Sequence, residues 1–206
     1  MKIKHALCIA VLTASASHAG TVEQASIFAD PQMQVKSGEV QGCGYRLKAI
    51  PQDIATAKSA VLLDASFNLY SKGTLGLLKG GALQLALKDG ELGKPVNKPI
   101  ESFWIKVQGE KPTAPTKVPI FAAETKGYLL YGVSLDTTMS LFKAVWDKVP
   151  IMIGMRLKGE PIDRIDSGTA QVSDQDNAQV HECMNELIKQ MQADLATEME
   201  KKSPER

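Results

Sequence analysis

The chain has 206 residues, 44% of them apolar, and 24 basic against 23 acidic side chains give a formal net charge of +1. That balance excludes wholesale electrostatic attraction to nucleic acid or to an anionic membrane surface. The apolar fraction is that of a chain with a sizeable core, not of a disordered one.

The N-terminal end reads as an export signal. Lys2 and Lys4 form a positive start, residues 6–16 a short apolar or small-residue stretch, and Ser17-His18-Ala19 a cleavage site of the A-x-A type. Residues 1–19 are therefore expected to be a signal peptide cut after Ala19, leaving residues 20–206 in the periplasm or secreted. The stretch is too short to span a bilayer, and no later run approaches the ~20 apolar residues that a spanning helix needs. No transmembrane segment is expected in the mature chain. Cys8 lies inside the apolar stretch and not just after it, so no lipid-anchored cysteine is expected.

Cleavage removes two lysines and leaves a slight acidic excess. It also leaves His181 as the sole imidazole, and Cys43 and Cys183 as the sole cysteines. An isolated pair in an oxidising compartment reads as one disulfide, and no C-x-x-C spacing suggests redox chemistry. Closing a loop of about 140 residues is worth on the order of 4–5 kcal/mol in the chain-entropy picture. The bond would tie the first strand to the last helix.

In chain order, residues 20–37 are mixed and polar, with Pro31 and Gly38 as breakers, and read as an irregular lead-in. Residues 38–49 alternate, with Cys43, Tyr45 and Leu47 on one face and Arg46 and Lys48 on the other, the pattern of a half-buried strand. A second strand places Val61, Leu63, Ala65, Phe67 and Leu69 opposite Asp64, Ser66 and Asn68. Ser71-Lys72-Gly73, Lys79-Gly80-Gly81 and Asp89-Gly90 read as turns, and the leucines between them keep the two-residue period. Residues 101–107 form another strand. Pro112, Pro115 and Pro119 make residues 109–126 a long proline-rich loop. A buried strand over 128–135 then leads to a helix over 137–148, capped by Asp136. Ile151, Ile153, Met155 and Leu157 mark a further strand. After a polar stretch over 163–173 comes the longest helix, 176–201, capped by Ser173 or Asp174. Val180, Cys183, Met184, Leu187, Ile188, Met191, Leu195 and Met199 form its apolar stripe.

The expected fold is one α+β domain: an antiparallel sheet or sandwich, one short connecting helix, and a long C-terminal amphipathic helix pinned by the disulfide. One short echo stands out. Gly44-Tyr45-Arg46-Leu47-Lys48 with Pro51 resembles Gly154-Met155-Arg156-Leu157-Lys158 with Pro161, and coincidence or shared strand chemistry accounts for it better than duplication.

No catalytic residue is nominated. His181 lacks a catalytic flank, and pairing it with Cys183 as a nucleophile would require the disulfide to be absent. Asp174-Gln175-Asp176-Asn177 lacks the glycine and the distant glutamate of a calcium loop and reads as a helix start. No metal and no cofactor are expected, because neither a histidine-rich cluster nor a phosphate-binding glycine loop is present. Two features are candidates for recognition. Tyr70 and Trp104 fall on the polar faces of their strands and suggest a ligand groove. Arg46, Lys48, Arg156 and Lys158 would form a basic stripe if their strands lay side by side. The reading is an exported, periplasmic, non-enzymatic binding or interaction protein whose partner is a protein or small molecule and not nucleic acid. The alternatives are an inhibitor or immunity-type protein acting on a secreted hydrolase through loops such as 109–126, or a hydrolase with inconspicuous carboxylates.

Overall fold

The two-residue periodicity that dominates the chain becomes a single eleven-stranded sheet. The computed structural model describes residues 21–52, 59–70, 75–88, 91–113 and 121–202. The expected signal segment, the expected turns at 71–73 and 89–90, and residues 114–120 of the proline-rich loop lie outside the described residues. The elements are β1 (Thr21–Lys36), β2 (Glu39–Pro51), β3 (Ser59–Tyr70), β4 (Leu75–Lys88), β5 (Glu91–Leu92), β6 (Val96–Lys98), β7 (Ile100–Val107), β8 (Phe121–Ala122) and β9 (Leu129–Ser134). Then follow α1 (Leu135–Trp146), β10 (Pro150–Leu157), β11 (Arg164–Gln171) and α2 (Asp174–Lys202).

The strand order is β7-β10-β11-β1-β2-β3-β4-β9-β8, with β5 and β6 also on β4. The α+β class holds, but the sheet is not purely antiparallel: β1 and β11 run parallel. It curls until its ends nearly meet. Phe103 of β7 packs against Gly80 of β4, where a Cβ would collide with the ring, and against Tyr131 of β9 at 4.8 Å between centroids. The free edge of β7 is satisfied across this seam. Thr113 takes both the N–H and the C=O of Ile105 (2.8 and 2.9 Å). The Tyr131 hydroxyl donates to the Phe103 carbonyl (3.3 Å), and Ile100 N–H donates to the Gly127 carbonyl (3.3 Å).

Both helices pack on the inner face. Phe142 of α1 sits 5.9 Å from Tyr45 and 5.0 Å from Phe67, ring to ring, with Leu141 and Val145 buried beside it. These are the inward positions the alternation predicts for β2 and β3. The first half of α2 buries Val180, Cys183, Met184 and Leu187. At ~1.5 Å per residue its 29 residues outrun the sheet, and Leu195 of the expected stripe is 60% exposed, while Ile188, between the buried Leu187 and the partly buried Met191, is 42% exposed.

Four local expectations are corrected. Residues 20–37 are not irregular: Ala25, Ile27 and Ala29 alternate into the core as β1. Pro31 is tolerated because β11 pairs with β1 only as far as Phe28, leaving a one-sided edge beyond. The polar stretch 163–173 is mostly β11. Its Asp166, Gly168 and Ala170 lie opposite Ile153, Ile151 and Ile27, so small and polar residues stand where apolar ones would have announced a strand. Lys79-Gly80-Gly81 is no turn but the middle of β4, kept open for rings on both faces. Finally, Ser134 caps α1, its hydroxyl accepting from Thr137 N–H at 3.2 Å, and Asp136 lies in the first turn. For α2, Ser173 accepts from Asp176 N–H at 3.0 Å, as expected.

Cys43 and Cys183 stand at disulfide distance, with Cα atoms 5.9 Å apart at a sequence separation of 140. Cys43→Ser is expected to lower unfolding stability by about 2–5 kcal/mol. In urea denaturation, a reductant should bring the wild-type midpoint down to that of the variant. Coincident midpoints without reductant would show that the bond carries no stability.

Candidate functional site

The outer face of the sheet holds the chemistry. On β3 the outward residues Asp64, Ser66 and Asn68 are buried, not solvated. Asp64 is covered by the segment before β9. Tyr128 lies on Gly81, where a Cβ would meet its ring, and its hydroxyl donates to Asp64 Oδ2 at 2.6 Å. From β2, Arg46 grips the same carboxylate with two bonds, Nε to Oδ1 at 2.8 Å and Nη2 to Oδ2 at 2.6 Å. A buried carboxylate is stable only if paired and hydrogen-bonded, and Asp64 has both.

The same device recurs on β10. Arg156 Nε donates to Asp163 Oδ1 at 2.8 Å and Trp104 Nε1 to Oδ2 at 3.0 Å, with Asp163 only 2% exposed. Trp104 lies on Gly154 as Tyr128 lies on Gly81. The echo between residues 44–48 and 154–158 therefore has a physical content. Each segment supplies an arginine for a carboxylate held on its other side by an aromatic donor.

This arrangement decides the fate of the expected recognition features. Strands β2 and β10 are separated by β11 and β1, so the basic stripe does not form. Arg46 pairs with Asp64, Lys48 with Asp30 and Arg156 with Asp163, while Lys158 is exposed in the turn after β10. Tyr70 and Trp104 sit on different parts of the sheet. Tyr70 packs over Gly42 and accepts from Gln34 Nε2 at 2.7 Å, while Trp104 belongs to the Asp163 cluster. Filling the gap left by a glycine on the next strand explains a large ring on an outer face. Neither residue lines either of the cavities described below. Trp146 stacks on His181 at 4.2 Å and donates to the Tyr45 hydroxyl at 3.1 Å, which itself donates to Asn177 Oδ1 at 2.6 Å. Asn177 and Asp176 thus serve to seat the start of α2. Among the described residues no group of three or more His, Cys, Asp or Glu is placed to hold a metal ion.

Two cavities stand out among the described residues. One, of about 180 Å³, lies over β3 and is lined by Gln32, Arg46, Asp64, Ser66, Lys79, Thr125 and Tyr128. The other is an open cleft of about 660 Å³ where β11 leaves β1 and turns into α2. Phe28, Asp30, Lys148, Gln171, Ser173 and Asp176 are among its walls, and Phe28 is 40% exposed. Asp64, Lys79 and Phe28 were not readable as site residues, since each occupies an ordinary strand position.

The chain matches no protein-family model, no characterised protein and no solved structure.

All four tyrosines, Tyr45, Tyr70, Tyr128 and Tyr131, have pKa values raised above the ordinary 10.0, with burial the largest cause in each. For Tyr128 the hydrogen bond to Asp64 adds to it. A raised folded-state pKa means that the folded protein holds these protons more tightly than the unfolded chain. Their contribution to stability is complete below the ordinary tyrosine value and is lost as pH rises above it. In an alkaline titration, tyrosinate absorbance of the native protein should lag that of the urea-unfolded chain and appear together with unfolding. Superimposed curves would contradict the burial of these hydroxyls.

Proposed function

We propose that this is an exported, periplasmic, non-enzymatic binding protein, and that the cleft beside β1 receives an extended polypeptide segment of its partner. The observation that carries the reading is the cleft itself. Its volume of about 660 Å³ falls within the ~300–1,000 Å³ typical of binding sites. It also opens beside a strand edge, because among the described residues β1 is paired from Ala29 onward with β2 alone. A free edge offers main-chain donors and acceptors to an added strand, and the half-exposed Phe28 offers an apolar anchor. Asp30, Asp176 and Lys148 around the cleft provide a polar rim for orientation. Export is supported by the signal-like N-terminus, with which a Cys43–Cys183 pair at disulfide distance is compatible.

A photo-crosslinking residue at Phe28 tests this, with Val96, 59% exposed on β6, as the control position. In the exported fraction of the native host, a discrete adduct is expected from position 28 and none from position 96. Phe28→Asp should abolish recovery of the same partner by affinity purification. Equal labelling from both positions would remove the cleft as the binding surface.

A further inference from the structure

We propose that the smaller outer-face cavity is a binding site for a tetrahedral oxyanion of the phosphate or sulfate class, separate from the cleft beside β1. The two cavities share no lining residue. The strand register builds the site. Arg46 on β2 stands opposite Ser66 on β3, and Ser66 stands opposite Lys79 on β4. Two cations therefore flank one hydroxyl on three adjacent strands, each ~4.8 Å from the next. The small Ser66 between two long side chains leaves the hollow, and they wall it.

The charges in this hollow are unequal. Asp64 is its one lining carboxylate, and both oxygens are taken, by Arg46 on each and by Tyr128 on Oδ2. Among the described residues Lys79 has no carboxylate at ion-pair distance. Its Nζ donates to Thr125 Oγ1 at 3.0 Å and lies 5.3 Å from the centre of the Tyr128 ring. The cavity thus carries one positive charge more than its own residues neutralise. Independently of charge, Ser66 is only 5% exposed and lines the cavity, which sets its hydroxyl at the floor. The Gln32 carbonyl accepts from Asn68 Nδ2 at 3.2 Å, which leaves the Gln32 amide hydrogens to donate.

Donors therefore arrive from β2, from the floor and from β4. A tetrahedral anion meets donors from several sides, whereas a planar carboxylate is satisfied by one arginine fork. The volume of about 180 Å³ lies below the usual range for whole organic ligands, so the occupant is an ion or a headgroup.

Inorganic phosphate titrated into the disulfide-bonded protein, followed by amide chemical shifts at constant ionic strength with chloride as control, tests the site. Saturable shifts are expected at Ser66, Lys79 and Thr125. Lys79→Gln should weaken binding at least tenfold, about 1.4 kcal/mol. Ser66→Ala, which removes only the floor hydroxyl, should weaken it several-fold, and Lys36→Gln in the exposed hairpin should leave it unchanged. Methyl phosphate distinguishes the sources: binding equal to that of phosphate assigns an ester headgroup, and weaker binding assigns the free ion. Shifts that merely track chloride, or full affinity in a folded Lys79→Gln protein, would overturn the proposal.

Discussion

The contact between Phe103 and Gly80 is the constraint on which the rest of the architecture rests. Among the described residues β7 has a hydrogen-bonded neighbouring strand on one side only, and an open edge is a standing invitation to aggregate. Here the edge is closed by side chains and by main-chain groups of the following loops instead of a further strand. The missing Cβ at Gly80 lets the Phe103 ring reach β4, and Tyr131, Thr113 and Gly127 then satisfy the main-chain groups that β7 would otherwise turn to water. A nearly closed sheet has one interior, which is why α1 and the first half of α2 pack on the same face, around Tyr45, Phe67 and Phe142.

Curvature has a second consequence on the outside. Rings that lie on glycines cover neighbouring polar residues and take them out of water. Asp64 and Asp163 are desolvated in this way, and each is compensated by an arginine and an aromatic donor. Burying a carboxylate is unfavourable until it is paired, and removing one partner then costs more than the pair contributes. The two clusters are thus fixed points of the outer surface. At the first of them a further cation, Lys79, has no carboxylate of its own among the described residues. That difference between two otherwise similar clusters makes the β3 cavity a place for an anion.

Most of the inward faces were legible in the sequence. Cys43, Tyr45 and Leu47, the odd-numbered residues of β3, and Ile151, Ile153 and Met155 all alternate as a half-buried strand must. Strand β11 was not legible, because its neighbours already fill the core and its own inner positions are Asp166, Gly168 and Ala170. Gly80 and Gly81 misled for a related reason. A glycine pair reads as a turn unless the rings that occupy its two faces are known, and those come from residues 103 and 128. Tyr70 and Trp104 were correctly conspicuous on polar faces, but the cause is a glycine on the adjacent strand.

By itself the sequence determined the alternation that makes strands, the spacing that makes two helices, and the presence of two widely separated cysteines. These depend on neighbours within a few residues, or on composition alone. Only the tertiary structure decided which strands are adjacent, and adjacency decides everything electrostatic about the outer face. Arg46 and Arg156 looked alike and would have formed one stripe on adjacent strands, yet two strands stand between β2 and β10. Arg46, Ser66 and Lys79, spread over more than thirty residues of sequence, become one row because antiparallel register sets side chains from three strands side by side.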